Sequence, residues 1–177
     1  MRPRSRLFLL AAPVLLLSVP AWAGNPATIS VTVTIQNLSV STTGPIAFGT
    51  VVSGSSTVSA SGSTVTNDGN VTETYSLNLT NPASWTAVQA APSAAETYAL
   101  LAEFNSGAPT SGSFGYTNHA LSTTSTAASA TKFAGDQSGL SVTAGGTRAL
   151  WFRFDAPTST AVTTQQAISV TVTAAAG

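Results

Sequence analysis

Cysteine is absent from this 177-residue chain, and histidine occurs once, as His119. Without thiols the chain forms no disulfide, no iron–sulfur cluster and no cysteine nucleophile. A single imidazole also leaves too few ligands for the common zinc sites, which combine several histidine, cysteine or carboxylate side chains. These absences exclude the cysteine-dependent enzymes and the thiolate metalloproteins.

Charged side chains are also scarce. Downstream of residue 23 the basic side chains are Lys132, Arg148 and Arg153, which stand against six carboxylates and give a net charge of −3. Proteins that bind nucleic acid through its phosphates need clustered lysine and arginine. We therefore expect no nucleic-acid partner.

Residues 1–23 have the three parts of a secretory signal peptide. An arginine-rich start is followed by an apolar run over residues 7–17, and Ala21-Trp22-Ala23 provides small residues for cleavage before Gly24. The apolar run of about 11 residues is shorter than the roughly 20 that cross a membrane. The sequence thus predicts a cleaved leader and a mature domain of residues 24–177 without a membrane span. We expect that domain to be secreted, periplasmic or at the cell surface.

Apolar and polar residues alternate with a period of two in five stretches, the pattern of strands with one buried face. The apolar members are Ile29, Val31, Val33 and Ile35; Val71, Tyr75, Leu77 and Leu79; Tyr98, Leu100, Ala102 and Phe104; Leu150, Phe152 and Phe154; and Ile168, Val170 and Val172. Weaker patterns predict strands at residues 46–52, 57–60, 63–67, 85–89 and 140–143. No stretch of ten residues has helical periodicity.

Turn residues separate these stretches. Asp68-Gly69 lies between two alternating runs and predicts a hairpin turn with positive φ at its two central positions, and Gly145-Gly146 predicts a second hairpin. Short strands with frequent turns favour an all-β fold, a single antiparallel two-sheet β-sandwich of about 8–10 strands. A closed β-barrel is the alternative.

Residues 105–131 are less regular. They are rich in small and polar residues, yet they contain Phe114, Tyr116 and Leu121. A structureless loop of this length is unusual in a compact domain. The segment therefore contains a short strand or helix, or it is a surface loop with a role of its own.

Three segments resemble exported bacterial surface proteins with immunoglobulin-like β-sandwich domains. Residues 46–54 contain a Phe-Gly-Thr-Val strand core followed by a glycine turn, and residues 65–70 resemble the Val-x-Asn-x-Gly-Asn hairpin of ASPM/SPD-2/Hydin-type domains. Residues 145–154 look like a strand of similar exported proteins. The resemblance implies an immunoglobulin-like fold and a structural or surface role, and it transfers no catalytic residue.

No catalytic set is evident in the sequence. The chain lacks a G-x-S-x-G elbow, and His119 lies in a polar loop where we expect it to be solvated. A glycosidase needs two facing carboxylates roughly 5–9.5 Å apart. The four candidate carboxylates are Glu73, Glu96, Glu103 and Asp155. Because they are isolated among serine and threonine, we expect them to be solvated and the protein not to be an enzyme.

We also expect no cofactor and no dedicated metal site. Oxygen ligands near Asp68/Asn70 and near Asp136/Gln137 leave a structural calcium ion open as an alternative. Neither segment has the dense carboxylate spacing of a dedicated calcium loop, and Asp68 already has a role as a turn residue.

Aromatic residues are the remaining candidates for a binding site. If Leu150, Phe152 and Phe154 face the core, then Trp151 and Arg153 face outward on the same strand. Exposed aromatic and arginine side chains stack on sugar rings or become buried at subunit interfaces. Trp151, Arg153 and Tyr116 are therefore the predicted ligand or interface residues. The alternative is that a neighbouring loop covers Trp151.

These features together predict a non-enzymatic, exported structural or surface-assembly protein, a subunit of a layer, filament or matrix. Few charges protect its strands from edge-to-edge pairing. The stretch with Ile29, Val31, Val33 and Ile35 either pairs within its own sandwich or adds to a neighbouring copy and links subunits head to tail. Its expected partners are therefore itself or cell-surface components. The alternative function is a carbohydrate- or ligand-binding module that uses exposed aromatic residues.

Overall fold

A computed structural model describes Gly24 and residues 27–177, so the predicted signal peptide lies outside the described residues. The chain divides into two units, Met1–Thr34 and Ile35–Gly177. Every strand of the described residues lies in the second unit.

The second unit is built almost entirely from strands, as the alternating pattern predicts. Their bounds are β1 Val40–Thr42, β2 Ser56–Val58, β3 Ser63–Asn67, β4 Glu73–Thr80, β5 Thr86–Ala87, β6 Thr97–Phe104, β7 Thr126–Ala127, β8 Thr147–Asp155 and β9 Ser169–Ala176. The single α-helix of the described residues, α1, spans Tyr116–His119 and follows a 3₁₀ turn at Ser111–Ser113.

The strands form two sheets, which confirms the all-β class. The larger sheet has the order β1-β3-β8-β6-β5, and β2 pairs with β8 on the same edge as β3. The smaller sheet has the order β7-β4-β9. Pairing is antiparallel throughout except between β5 and β6, which are parallel.

One apolar core lies between the two sheets. Tyr75, Leu77 and Leu79 point into it from β4, while Phe152 and Phe154 enter from β8. The polar residues between them on β4 are only half-buried, so this strand has the predicted single buried face. Strand β6 differs, because every residue after its first is buried, so both of its faces are covered.

The predicted Asp68-Gly69 hairpin is wrong. Strands β3 and β4 belong to different sheets, so the connection between them crosses the molecule instead of reversing a ladder. Gly69 does not have a positive φ. It is needed for space, because a Cβ there would overlap the carbonyl oxygen of Asn37 and the carboxylate of Glu73. Gly145 does have a positive φ of 71°, but the predicted strand before it is reduced to one bridge, Glu73 with Val142.

Three predicted strands are not strands in the structure. Residues 140–143 keep one bridge, residues 46–52 run irregularly between β1 and β2, and the stretch that contains Ile29, Val31, Val33 and Ile35 forms no ladder among the described residues. The last two stretches pair with no strand that the structure describes, and a strand exists only when another strand satisfies its backbone. Strands β1 and β7, which the sequence did not predict, have three and two residues, too few to give a pattern.

We call residues 105–131 the covering segment. Its first part packs over the outer face of the larger sheet, and its last part joins the smaller sheet through β7. Phe114 and Ala120 of this segment pack against Ala99 and Leu101 of β6 and form a second buried cluster. The segment contains the 3₁₀ turn, α1 and β7, so the prediction that it contains a short element is confirmed.

Candidate functional site

Arg153, one of the predicted binding residues, lies beneath the covering segment. Only 8% of its surface is exposed, and its Nη2 is 2.9 Å from Oδ2 of Asp155. Nη1 donates to the carbonyl oxygens of Ser111 and Phe114, at 2.8 Å and 2.9 Å. The expected exposure of Arg153 is therefore not found, because the covering segment satisfies its charge and its donors.

Tyr116 joins the same network. Its hydroxyl donates to Oδ2 of Asp155 at 2.7 Å, and the Arg153 guanidinium lies 5.3 Å from its ring centroid. Burial, and after it the bond to Asp155, raises the pKa of the Tyr116 hydroxyl. Trp151 is half-buried beside this network and donates from Nε1 to the Asn105 carbonyl oxygen at 2.9 Å. The structure thus brings Arg153 and Tyr116 together, but in a network that holds the covering segment rather than on an open surface.

His119 is buried, so the prediction that it is solvated is wrong. Its Nδ1 accepts from the Gly115 N–H at 2.9 Å, and its Nε2 lies 3.2 Å from the Ala134 carbonyl oxygen. The Phe114 ring packs against it edge to face. Both ring nitrogens are therefore engaged by the backbone at the end of α1.

Three of the four candidate carboxylates are buried as well. Asp155 is paired with Arg153, Glu103 accepts from the Ser113 hydroxyl at 2.9 Å, and Glu73 accepts from the Ser39 N–H at 2.8 Å. Burial overturns the expectation that they are solvated. The described part of the chain contains no group of three or more histidine, cysteine or carboxylate side chains that could hold a metal ion.

An open groove lies between the two sheets of the second unit. Its volume is about 990 Å³. The larger sheet contributes Leu150, Phe152 and Phe154 to its lining, and the smaller sheet contributes Val170 and Val172 of β9. Irregular residues 42–53 and 156–168 border it. These residues lie at the edge of the core, so the groove is a place where the core is not fully covered.

Aromatic rings form part of the lining of the groove. Trp85 is stacked on Phe154 with ring centroids 6.0 Å apart, and Phe48 lies 5.6 Å from Phe154. Trp85 is only half-buried, and its Nε1 donates to the Thr160 hydroxyl at 3.2 Å. No charged side chain lines the groove, and its border contains threonine and glutamine. Such a lining suits an uncharged, apolar occupant.

Strand β9 gives the groove an unpaired backbone edge. It pairs with β4 along its whole length but with no other strand that the structure describes. Val170, Val172 and Ala174 face inward, and Ser169, Thr171 and Thr173 alternate with them on the exposed face. The strand has no charge, no proline and no bulge, the usual features that prevent a further strand from adding to an edge.

Glu96 positions the loop that borders the groove after β8. Its carboxylate accepts from the Thr160 hydroxyl and from the Ala161 N–H, both at 2.7 Å. These two hydrogen bonds lower the pKa of Glu96. Since Glu96 is only half-buried, water competes for both contacts, and this border is held less firmly than the covering segment.

Residues 27–34, the described end of the first unit, present apolar side chains to solvent. Ile29 is 86% exposed, and Val31 and Val33 are each 81% exposed. Ile35, the first residue of the second unit, is 76% exposed. Serine and threonine occupy the positions between them, so the alternation is real but neither face is covered.

Sequence reasoning missed the groove, since it assigned residues 46–52 to a strand. The groove could have been inferred from the sequence, because the sequence has more alternating stretches than strands with which they can pair. No protein family, curated protein or solved structure matches the chain. No helix in the described range is long and apolar enough to cross a membrane.

Proposed function

We propose that this protein is an exported, non-enzymatic structural subunit that assembles into a surface layer, filament or matrix. In this proposal residues 1–23 are a signal peptide, and the second unit is an immunoglobulin-like β-sandwich. Mature protein would act outside the cytoplasm, in the periplasm, at the cell surface or in the medium. The resemblance of residues 46–54, 65–70 and 145–154 to exported surface domains supports this assignment.

The observation that carries the proposal is the unpaired edge of β9 beside an open apolar groove. A monomeric protein normally protects such an edge with charges, proline or a covering loop. Here the covering segment protects the outer face of the larger sheet, whereas β9 has no charge, proline or bulge, and no strand of the described residues pairs with its free edge. An unpaired edge makes a monomer prone to aggregation by strand addition, whereas in a subunit it provides a binding surface.

The test is to express the full chain with its leader and to isolate the exported material. N-terminal sequencing is expected to begin at Gly24. Sedimentation velocity and negative-stain microscopy are expected to show multimers that grow with protein concentration. Retention of the leader would contradict export, and a monomer at every concentration would contradict assembly.

A second candidate function is the binding of an uncharged carbohydrate or small ligand in the groove. The half-buried Trp85 ring favours it, because an accessible indole stacks on a sugar ring. Trp85 fluorescence measured in a Trp151→Phe background with a panel of neutral polysaccharides tests this candidate. A saturable change with one polysaccharide and no multimers would favour ligand binding over assembly.

A further inference from the structure

We infer that the groove accepts residues 27–35 of a second copy, which add to the free edge of β9 as a further strand of the smaller sheet. This inference rests on the proposed assembly function and names its contact. We call residues 27–35 the donor segment. Each copy would then donate one segment and accept another, which links copies head to tail.

The donor segment has the composition of a strand with one buried face. Ile29, Val31, Val33 and Ile35 lie on one face, and the small polar residues between them lie on the other. The apolar side chains are 76–86% exposed, so the copy that carries them does not bury them. Leaving four branched aliphatic side chains in water is unfavourable, and a strand gains most by burying such a face.

The groove offers what the donor segment lacks. Its lining is apolar, and the unpaired N–H and C=O groups of β9 run along it. Nine residues in extended conformation span about 30 Å at roughly 3.3 Å each, slightly more than the eight-residue β9. A strand added at this edge would place its four aliphatic side chains between the sheets, against Val170, Val172 and the rings of Phe48 and Trp85.

The two faces of the added strand also match those of β9. Strand β9 alternates inward aliphatic residues with outward Ser169, Thr171 and Thr173. The donor segment alternates in the same way, with Ser30, Thr32 and Thr34 between its aliphatic residues. Neither surface has a charge, so no ion is desolvated when they meet. Backbone pairing and aliphatic burial thus carry the contact.

The chain is fixed immediately after the donor segment. Asn70 donates from Nδ2 to the Ile35 carbonyl oxygen at 2.9 Å, and its Oδ1 accepts from the Asn37 N–H at 2.8 Å. These bonds hold the root of the segment beside the connection between β3 and β4. A contact between the donor segment of one copy and the groove of another joins two different surfaces, so it is heterologous and propagates into chains when the rotation does not close.

The first test uses paired substitutions on the two faces of the donor segment. Val31→Asp puts a charge on the aliphatic face, and Thr32→Asp puts the same charge one residue away on the polar face. We expect multimers of the wild type and of T32D. We expect V31D to be monomeric, with at least about tenfold weaker association, a change that corresponds to about 1.4 kcal/mol. Thermal unfolding checks that V31D folds as the wild type does.

The second test uses the absence of cysteine, which makes any introduced thiol unique. Residues directly opposite each other on neighbouring strands have Cα atoms about 4.5–5.5 Å apart, within the range that a disulfide bridges. We therefore mix a T32C variant with a T171C or T173C variant under mild oxidation. A disulfide-linked heterodimer is expected with at least one of the two. Ser125→Cys, exposed just before β7 at the other edge of the smaller sheet, is the control and is expected not to cross-link.

A synthetic peptide of residues 27–35 gives a third measurement on the monomeric V31D variant. Saturable binding, with a change in Trp85 fluorescence in the W151F background, supports the inference. If V31D forms multimers as the wild type does, the inference about the donor segment is wrong, and the proposed assembly function is unaffected. A wild-type monomer at all concentrations would overturn both. A disulfide that forms only within a T32C/T171C double variant, at high dilution, would show that the segment fills its own groove and would also overturn it.

Discussion

The outer face of the larger sheet and the groove beside β9 are both apolar surfaces, but the chain treats them differently. The covering segment packs Phe114 and Ala120 against Ala99 and Leu101 of the outer face, which are fully buried. The groove keeps Trp85 and the inward side of β9 only half-buried, with irregular residues along its borders. The outer face of the larger sheet is covered by residues of the same chain, and the groove is left open.

The difference lies in how the adjoining residues are held. Beneath the covering segment, the buried Arg153–Asp155 pair is hydrogen-bonded to two backbone carbonyls and to Tyr116. At the groove, the loop after β8 is hydrogen-bonded to the half-buried Glu96. A fully buried charge is costly without its partners, whereas a partly exposed group can bond to water instead. The covered face therefore depends on its own buried network, whereas the border of the groove is held by contacts that water can replace.

The largest effect is expected from breaking the network beneath the covering segment. Arg153→Ala leaves the buried Asp155 carboxylate without its cation, so it should lower the free energy of unfolding by about 3–5 kcal/mol. Arg148→Ala is the control, since Arg148 is half-buried and forms no ion pair within the described residues. Urea unfolding of both variants measures the difference. Equal losses would show that the network does not hold the segment.

Truncation of an aliphatic side chain in the closed core should lower the free energy of unfolding of the monomer more than a similar truncation at the groove. Leu77→Ala removes a fully buried side chain and should cost about 2–5 kcal/mol. Ile168→Ala removes a half-buried side chain at the groove and should cost less than about 1.5 kcal/mol. Both are measured in the V31D background. If I168A costs as much as L77A, the groove is as well packed as the core, which contradicts the comparison.

Because the connection between the sheets is tightly packed at Gly69, one added methyl group there should lower the free energy of unfolding. Gly69→Ala places a Cβ against a backbone carbonyl and the Glu73 carboxylate, so we expect a loss of about 1–3 kcal/mol. Gly107→Ala, in the covering segment, meets no atom within 4 Å and should be nearly neutral. Thermal unfolding of the two variants provides the check. A stable G69A protein would mean that this connection shifts easily.

The smallest effects concern two carboxylates outside the core, the exposed Asp136 and the half-buried Glu96. Asp136 accepts from the backbone N–H and the hydroxyl of Ser106, and these bonds lower its pKa, as those to Thr160 and Ala161 lower that of Glu96. A lowered pKa in the folded state stabilises the fold above the ordinary carboxyl pKa, and the gain is lost as the pH falls through the lowered value. Asp136→Asn and Glu96→Gln should each reduce the urea midpoint slightly at neutral pH. In acid, where the wild-type carboxyls are protonated too, the differences should vanish.

Much of the fold follows from the sequence, but the site does not. The alternating stretches predicted β4, β6, β8 and β9 because each has several residues facing one core, and weaker patterns predicted β2, β3 and β5. The hairpin at Asp68-Gly69 was predicted wrongly, since a turn motif does not say whether the next strand stays in the same sheet. The outward direction expected for Arg153 did not make it accessible, and for Trp151 the structure has the alternative of a covering loop, because strand alternation gives the side of the sheet and not what covers it.

By itself, the sequence determined that this protein is all-β, poor in charge and free of cysteine, since composition and period-two alternation act through local chemistry. Only the tertiary structure decided which alternating stretches find a partner. The stretch over residues 98–104 became a strand buried on both faces, whereas that with Ile29, Val31, Val33 and Ile35 formed no ladder among the described residues. Backbone pairing and burial depend on residues distant in the chain, and no local pattern records whether those residues are present.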